Sequence, residues 1–429
     1  MKDRFRRRLA GALAAATAAL MLSPQLGALA RLPDELVMNA GTVAVLPVSS
    51  AVRADAVGED GAIEYVENSP EAGTLRLTAG ARGEGEVTYR LLGLLPVKTV
   101  KLSVRPERTL VPGGQSVGVA MTTGGVVVVG NSDLGRTPSP ARLAGLKSGD
   151  VIQCVNGARI SGAKQLSERL TDGGTARLRV LRGDDVLECD VTPAKDERDG
   201  QYRLGAWVRD STAGVGTITY YDPEDGEFGA LGHAITDIDT GVLMPVGDGE
   251  IYANRVVDVT PSREGAPGEL TGDFMEQKTG LGRVTRNCEF GIFGALSGEP
   301  GGALYPKGLP VADSAQVHTG AATLLTTVDG GGAREYACEI VRVSDRAEPG
   351  ARAMVVRMTD EALLEKTGGI VQGMSGSPLI QDGRIVGAVT HVMVNDPTMG
   401  YGIFIETMLQ QGDAQKELSQ SETALRQFQ

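Results

Sequence analysis

The chain has 429 residues, about three times the size of a common single domain, so two to four domains are expected. Glycine accounts for 59 residues and aromatic residues for only 4%, a composition typical of short strands and tight turns. The 42 basic and 54 acidic residues give a net charge of −12, which excludes a general electrostatic surface for nucleic acid. The composition therefore predicts a mostly β protein of several domains with no nucleic-acid partner.

The first thirty residues have the pattern of a signal peptide or an N-terminal anchor. Five basic residues lie among the first eight, a nearly uncharged run extends from Leu9 to Leu22, and small residues follow at 28–30 with the spacing of a cleavage site. The run is shorter than the roughly twenty residues that span a bilayer comfortably. We therefore expect residues 1–30 to direct export and the remaining chain to act outside the cytosol.

Residues 31–106 alternate apolar and polar side chains in short runs separated by Gly, Asn-Ser-Pro and Glu-Asp-Gly turns. Such alternation predicts a small antiparallel β domain. The segment contains no pair of nucleophile and base, so we expect it to position other domains or to contact a partner. At the other end of the chain, residues 414–429 form a polar tail without chemistry, either helical or disordered.

Four cysteines lie far apart in the chain, with no C-x-x-C pair that would bind zinc or carry out dithiol chemistry. We predict no metal site and no cofactor. Export would permit disulfides, but these cysteines lie in apolar runs that are typical of small buried residues, and no pairing is assigned. They are Cys154, Cys189, Cys288 and Cys338.

Residues 107–195 contain the string AGLKSGDVI at 144–152, then VNG at 155–157 and a candidate amphipathic helix. These strings resemble a PDZ domain. The resemblance implies an α+β fold that binds an extended peptide as an added strand between a sheet edge and a helix, with loop N–H groups receiving the peptide carboxylate. The residues that match this loop are Gly114, Val117, Gly118 and Val119. The alternative is a PDZ fold that serves only as a spacer.

Residues 196–413 are again rich in predicted strands, and a late block, GMSGSP, places Ser375 in a turn framed by glycines. Small neighbours would let a substrate carbonyl approach Ser375 Oγ, while the backbone N–H groups of Gly373 and Ser375 could form an oxyanion hole. The string is similar to the nucleophile turn of chymotrypsin-like proteases, with Met374 and Ser377 where that family has Asp and Gly. A purely structural Gly-Ser-Gly turn is the alternative.

A nucleophilic serine needs a general base, and the chain has three histidines. His318 lies in a polar loop and is predicted to be a surface residue. His391 follows Ser375 by sixteen residues, so it either lines the substrate cleft or is an ordinary strand histidine. His233 precedes the serine, as in the chymotrypsin-like order, and is predicted to be the base.

The PDZ-like strings, FGALGHAITD around His233 and TGGIVQGMSGSPLIQDGRIVGAVTHV around Ser375 together resemble the stage IV sporulation protein B (SpoIVB) peptidase family. The resemblance covers roughly residues 92–409. It implies a serine endopeptidase with a chymotrypsin-like double β-barrel, no cofactor, and a catalytic triad completed by Asp360.

The acidic residue is the least constrained member of the predicted triad. Asp360 lies only fifteen residues before the serine, whereas the chymotrypsin-like acid lies far upstream. Any carboxylate that reaches the imidazole can hold its tautomer, so Asp237 and Asp239, just after His233, are alternatives. Asp396, before a proline, is predicted to be a turn residue.

The family resemblance also implies a biological role. It implies export from the forespore and cleavage of a regulatory membrane protein between the two sporulation membranes, which releases an intramembrane protease and activates a late sigma factor. It further implies self-cleavage near the N-terminus, before which the chain would be anchored at the membrane. Two other classes stay open: a general extracytoplasmic PDZ quality-control protease, and a PDZ adaptor without catalytic activity.

Overall fold

The structure is a computed structural model in which the chain is mostly β, as the sequence predicts. The chain forms two compact units, Met1–Arg108 and Thr109–Gln429. The described residues are 32–49, 51–59, 61–69, 73–105, 107–183, 185–274, 280–344, 350 and 352–414. The predicted export segment and the predicted tail beyond residue 414 lie outside them. Within these ranges no helix combines the length and apolarity needed to cross a bilayer.

The first unit contains two sheets around one core. Its strands are β1 (Glu35–Asn39), β2 (Val43–Pro47), β3 (Val52–Gly58), β4 (Ile63–Ser69), β5 (Thr74–Ala79), β6 (Gly83–Leu91) and β7 (Leu95–Arg105). One sheet has the order β1-β7-β6-β3 and the other has the order β2-β5-β4. Alternating apolar residues of both sheets, including Leu75, Leu77, Val87 and Tyr89, are fully buried in a common core. This is the small β domain that the sequence predicts.

The second unit begins with two strands and a PDZ-like module. The elements are β8 (Thr109–Pro112), β9 (Ser116–Asn131), α1 (Pro140–Leu143), β10 (Val151–Val155), β11 (Ala158–Arg159), α2 (Ala163–Glu168), β12 (Ala176–Arg182), β13 (Asp185–Val191), β14 (Ala194–Lys195) and β15 (Tyr202–Arg203). Asn156 and Gly157 both have positive φ and form the tight turn between β10 and β11. The C-terminal half of β9 forms a sheet with β10, β12 and β13, and both helices contribute to its core.

A six-stranded barrel follows, built largely from the next group of strands. They are β16 (Ala206–Tyr221), β17 (Glu227–Ala230), β18 (Asp248–Ala253), β19 (Arg255–Thr260), β20 (Glu269–Asp273), β21 (Gly282–Cys288), β22 (Gly291–Leu296) and β23 (Leu309–Pro310). The neighbours run β9-β18-β21-β22-β17-β16, and β16 pairs again with β9, which closes the ring. Val117, Ile218, Phe228 and Ile251 lie in its core.

The second barrel is formed by the C-terminal part of the chain. After a 3₁₀ turn at Ser314–Gln316 come β24 (Gly320–Thr326), β25 (Arg334–Val343), β26 (Met354–Met358), α3 (Glu361–Thr367), β27 (Pro378–Gln381), β28 (Arg384–Met393) and β29 (Asp396–Phe404). The barrel closes in the order β24-β25-β26-β29-β28-β27. Residues 405–414 are helical. The two barrels confirm the predicted chymotrypsin-like double-barrel fold.

Strands β9 and β16, each sixteen residues long, belong to both the first barrel and the PDZ-like module. Thr122 pairs with Ser211 on the barrel side, Val127 pairs with Arg209 on the module side, and the register shifts between these pairs. The module therefore extends a hairpin of the barrel. The sequence analysis places a linear boundary between residues 195 and 196, and the strand pairing crosses it.

Candidate active site

Ser375 lies in a tight turn between α3 and β27. The glycines that frame it, Gly373 and Gly376, have φ angles of +97° and +94°, which side chains other than glycine rarely adopt. A Cβ atom on Gly376 would lie 2.2 Å from the carbonyl oxygen of Thr217, so this position accepts only glycine. Met374 is fully buried beneath the turn. The sequence thus fixes the turn from both sides of the serine.

Two backbone N–H groups of this turn have no hydrogen-bond partner among the described residues. The N–H groups of Met374, Gly376 and Ser377 donate to backbone carbonyls at 2.8 to 3.1 Å. Within the part of the chain that the structure describes, the N–H groups of Gly373 and Ser375 donate to no acceptor. Unpaired N–H groups on both sides of a serine hydroxyl are what an oxyanion hole requires.

Strand β16 holds the carbonyl side of the turn. The Thr217 N–H donates to the Ser375 carbonyl at 3.0 Å, and Thr217 Oγ1 donates to the Gly373 carbonyl at 2.8 Å. Thr219 Oγ1 donates to the Gly376 carbonyl at 2.8 Å. Both threonines are fully buried. Because these three carbonyls are bound on one side, the peptide planes of the turn are locked by the first barrel.

His233 follows β17 after a strained two-residue turn. Leu231 and Gly232 both have left-handed φ angles, +69° and +70°, and Leu231 is an uncommon residue in that conformation. The His233 Nδ1 atom lies 2.8 Å from the Ala234 carbonyl oxygen. Since a carbonyl can only accept, Nδ1 carries the proton and Nε2 is left as a proton acceptor. Burial lowers the pKa of His233, opposed by this hydrogen bond.

His233 and Ser375 line the same cleft, which has a volume of about 520 Å³. The Ser375 hydroxyl donates to the Thr390 carbonyl at 2.7 Å and not to His233. Catalytic hydrogen bonds are often unformed before substrate binds, so the absence of a bond between Ser375 and His233 is compatible with their roles as nucleophile and base. The cleft also contains the oxyanion candidates, residues 212–215 of β16, and His391.

His391, left open by the sequence, lines the cleft beside the base. Its ring centroid lies 4.8 Å from that of His233, with the planes tilted by 40°. Desolvation lowers the pKa of His391 to about 4, and the charges of His233 and Arg352 act in the same direction. His391 is therefore neutral near pH 7 and adds no positive charge next to the base.

Asp360 lies elsewhere in the structure. It is the N-cap of α3, where its Oδ1 accepts the Leu363 N–H at 3.0 Å and its Oδ2 accepts the Ala337 N–H at 3.3 Å. It does not line the cleft that contains His233. The geometry gives no support to Asp360 as the residue that orients the base, and that assignment stays a prediction.

The two alternative carboxylates are also held away from His233. Asp237 is buried, forms an ion pair with Arg209 at 3.0 Å, and accepts hydrogen bonds from the backbone of Asp239 and from Thr240. Burial acts to raise the pKa of Asp237, but these hydrogen bonds and Arg209 outweigh it and lower the pKa. Asp239 binds the same arginine at 2.7 Å. Neither carboxylate contacts the imidazole.

The remaining polar residues singled out in the sequence have structural positions. His318 is exposed and pairs with Asp382 at 2.8 Å, as expected for a surface residue. The Thr319 carbonyl and Asp382 raise the pKa of His318. Asp396, predicted to be a turn residue, is the first residue of β29 directly after the turn and accepts hydrogen bonds from the backbone and hydroxyl of Thr398.

The predicted peptide-binding loop of the PDZ module has no free edge. Val117, Gly118 and Val119 lie in β9, where every one of them pairs with β16 on one side and with β18 on the other. The carbonyl of Gly114 accepts a hydrogen bond from the Thr327 hydroxyl. These residues form part of the first barrel. An apolar-Gly-apolar string fits any strand that is covered on both faces, so the string alone does not identify a peptide-binding loop. The structure moves the candidate peptide groove away from residues 114–119.

A second cleft, of about 420 Å³, lies between α2 and the N-terminal end of β16. Here β16 pairs with β9 along one edge, and among the described residues no strand pairs with the other edge of Ala206–Arg209. Leu166 and Leu170 line the helix side, and Leu204 and Gly205 lie at the start of the strand. The signal that sequence reasoning missed is this second apolar-Gly-apolar string, at residues 204–206.

Comparison with known proteins identifies a peptidase family and several relatives. The family model described as SpoIVB peptidase S55 matches residues 200–409, just under half of the chain. That range contains His233, Asp360 and Ser375. The predicted family resemblance is confirmed.

The curated relatives are serine proteases of the HtrA type. A probable periplasmic serine endoprotease DegP-like from Brucella suis is 31% identical over 182 residues, 40% of this chain and 33% of the relative. Serine protease HTRA1 from Xenopus laevis is 34% identical over 59 residues, 14% of this chain and 13% of the relative. The chain thus spans a third or less of the length of these relatives. Among solved structures, the active form of the Rv3671c protease from M. tuberculosis matches 48% of this chain and 74% of that chain, with 16% identity and a TM-score of 0.28.

Proposed function

We propose that the protein is an exported serine endopeptidase in which Ser375 is the nucleophile and His233 the general base. One observation carries the proposal: the unpaired backbone N–H groups of Gly373 and Ser375 flank a serine hydroxyl in a cleft that His233 also lines. A turn with only a structural role would have no need for two unpaired donors at the same serine.

The mechanism is acyl transfer. The Ser375 hydroxyl first exchanges its hydrogen bond to Thr390 for one to His233 Nε2. As Oγ attacks the substrate carbonyl carbon, its proton passes to Nε2, and the two N–H groups stabilise the oxyanion. Collapse of the tetrahedral intermediate breaks the C–N bond, and the leaving amine takes the proton from His233. Water, deprotonated by the same nitrogen, then hydrolyses the acyl-enzyme and the serine recovers its proton.

The substrate is an extended protein segment. Among the described residues no strand pairs with the cleft edge of β16 at residues 212–215, so a substrate strand can form hydrogen bonds there and end at Ser375. The groove between α2 and residues 206–209 of the same strand is proposed as a separate peptide site. Its ligand is an extended apolar peptide end, because leucines form the helix wall.

The finer role rests on the family and on the N-terminal segment. We propose that the enzyme is exported from a forespore, trims its own N-terminal region, and cleaves a membrane-bound regulator of an intramembrane protease, which leads to sigma-factor activation. Supporting features are the export-like residues 1–30 and the family match of residues 200–409. A general quality-control protease would instead degrade unfolded proteins without sequence preference.

A fluorophosphonate probe tests the enzyme class, because a catalytic serine displaces fluoride from it and becomes covalently labelled. We expect wild type to label, and S375A and H233A to lose essentially all labelling and hydrolysis. The matched control is S377A, since Ser377 lies in the same turn but is buried and bonded to Thr326. Equal labelling of wild type and S375A would exclude Ser375 as the nucleophile and favour the alternative of a PDZ adaptor without catalytic activity.

The same preparations test self-processing. N-terminal sequencing should show a cut between about residues 31 and 68 in wild type and none in S375A, and within this range we expect it before β1 or at a turn between the strands β1 to β4, because nicking concentrates at termini and loop tips. Identical N-termini would contradict self-cleavage without affecting the assignment of the nucleophile. Degradation of unfolded casein as fast as any specific substrate would favour the quality-control alternative.

A further inference from the structure

The hairpin between β6 and β7 of the first unit ends in an exposed group of large apolar side chains. Four of them define what we call the apolar tip: Leu92 is 70% exposed, Leu94 82%, Leu95 61% and Val97 39%. Single exposed apolar residues are ordinary, but here four lie within six consecutive residues, two in the turn and two at the start of β7. The same unit buries its other leucines around β5 and β7 completely or nearly so. The tip is thus not a by-product of a poorly formed core.

Leu92 has a backbone conformation in this turn that is unfavourable for leucine. Leu92 and Gly93 have φ angles of +51° and +72°, a left-handed pair within the three-residue turn that joins β6 and β7. Among the described residues, left-handed pairs that begin with a residue other than glycine also occur at Asn156-Gly157 and Asp382-Gly383, in two-residue turns, and at Leu231-Gly232, before His233. Asn and Asp adopt this conformation at a lower cost than leucine. Leucine in this turn therefore carries a conformational cost that folding alone does not explain.

Basic side chains surround the base of the tip. Arg53 on β3 is the direct cross-strand partner of Arg90 on β6, and Lys98 on β7 lies opposite Tyr89. Like charges directly opposite each other are destabilising unless an anion is near. Asp55 lies 3.3 Å from Arg90, while Arg53 forms no ion pair with any described residue and lies beside Gly93.

The positive charge is local. Lys98 pairs with Asp34, so three cations face two carboxylates at the base of the tip. The whole chain is acidic, with a net charge of −12. A local excess of positive charge beneath an apolar projection is the arrangement that suits an anionic membrane surface, with leucines at the acyl boundary and basic groups at the phosphates.

We propose that the apolar tip inserts into the interface of an anionic lipid bilayer and so orients the first unit on a membrane. A convex tip of four apolar side chains needs a deformable apolar phase, whereas a protein partner would have to supply a matching pocket. Arg53, whose guanidinium forms no ion pair with any described residue, favours anionic phosphate groups over zwitterionic ones. This inference is independent of the proposed catalytic chemistry.

Depth-dependent quenching tests the insertion in the full chain. Trp207 is the only tryptophan, so a W207F background with L94W carries a single reporter at the tip. With phosphatidylglycerol-rich vesicles whose acyl chains are brominated, we expect its fluorescence to shift to the blue and to be quenched. The matched control is V57W in the same background, since Val57 is 63% exposed on β3 but lies opposite Glu86, away from the turn. It should be quenched little.

Two further variants separate lipid contact from folding. Adding L92N to the reporter places at φ +51° a residue type that this chain already uses at nearly the same φ at Asn156, so the unfolding temperature should not fall. The vesicle concentration for half-maximal quenching should rise about tenfold. Adding R53A should raise it about fivefold with anionic vesicles and leave it unchanged with zwitterionic ones.

The local readout matters because residues 1–30 could hold the chain on vesicles without the tip. No quenching of L94W in excess vesicles would overturn the proposal. So would equal quenching of V57W, an unchanged half-quenching concentration in L92N, or an R53A effect that does not depend on lipid charge.

Discussion

His233, the proposed general base, is oriented by a backbone carbonyl in this structure. His233 Nδ1 donates to the Ala234 carbonyl at 2.8 Å, and no carboxylate singled out in the sequence reaches it. A carbonyl fixes the tautomer as a carboxylate would, but it stabilises the imidazolium less, because it carries no net charge. Burial beside His391 has the further effect of keeping the base neutral at low pH.

The pH dependence of hydrolysis should reflect this burial. Because the pKa of His233 lies below its ordinary value of 6.5, the base stays unprotonated as pH falls, and kcat/KM should decline only below pH 6.5. H391Q removes the ring that shields His233 from solvent, so the acid limb of the pH profile of this variant should move up towards pH 6.5. H318Q, at the exposed histidine paired with Asp382, should leave the profile unchanged. A wild-type limb above 6.5 would contradict the burial effect.

The first expected effect of changing Asp360 is on the free energy of unfolding. Its carboxylate caps α3, so D360A should lower the free energy of unfolding by about 1 kcal/mol, whereas D360N should leave it nearly unchanged because asparagine caps equally well. Denaturant unfolding of the three proteins measures this difference. Equal loss in D360A and D360N would argue against capping.

The activity of D360N then tests the role that the family implies for Asp360. A triad acid changed to the amide loses on the order of 10⁴ in turnover by allowing the wrong tautomer. A loss of that size at unchanged stability would show that the aspartate reaches His233 during catalysis. Activity near wild type would leave the Ala234 carbonyl as the orienting group.

At the scale of elements, the glycine-framed turn at Ser375 is present as the sequence predicts, whereas the strand pairing of the predicted peptide-binding loop is not. Glycines around Ser375 have a local steric cause, since Gly376 packs against Thr217, so the string predicts this turn by itself. An apolar-Gly-apolar string has no such cause. It occurs at residues 117–119 and again at 204–206, and only strand pairing shows which copy has an open edge.

Gly118 provides the corresponding prediction. A Cβ atom there would lie 2.0 Å from the Phe274 ring, so G118V should strain the first barrel and lower its free energy of unfolding by about 1 to 3 kcal/mol or more. Peptide hydrolysis and peptide binding should fall together, since both depend on β9 and β16. The control on the same strand is G130A, whose added methyl group would meet nothing within 4 Å. A loss confined to peptide binding would return the groove to residues 114–119.

For the whole molecule, composition and alternation were enough to predict a mostly β chain of several domains, because these properties depend on local patterns and their number, whereas the double barrel was predicted from the family resemblance. The groove and the path of β9 depend on contacts between residues more than 100 positions apart along the chain. Thr217 and Ser375, or Val119 and Ile251, are brought together only by the register of closed sheets. No pattern in a single sequence encodes such pairings.

The shared strands β9 and β16 have a consequence for how such proteins can be rebuilt. Because Thr122 and Ser211 face each other across a pair of strands, the ends of the PDZ-like module are separated by little more than one strand spacing. A tight two-residue turn could join them, and the barrel would keep every pairing from residue 122 to residue 116. The module is therefore an insertion at the end of the β9–β16 hairpin and not a separate domain joined by a linker. Recombination could exchange it without moving either terminus of the peptidase.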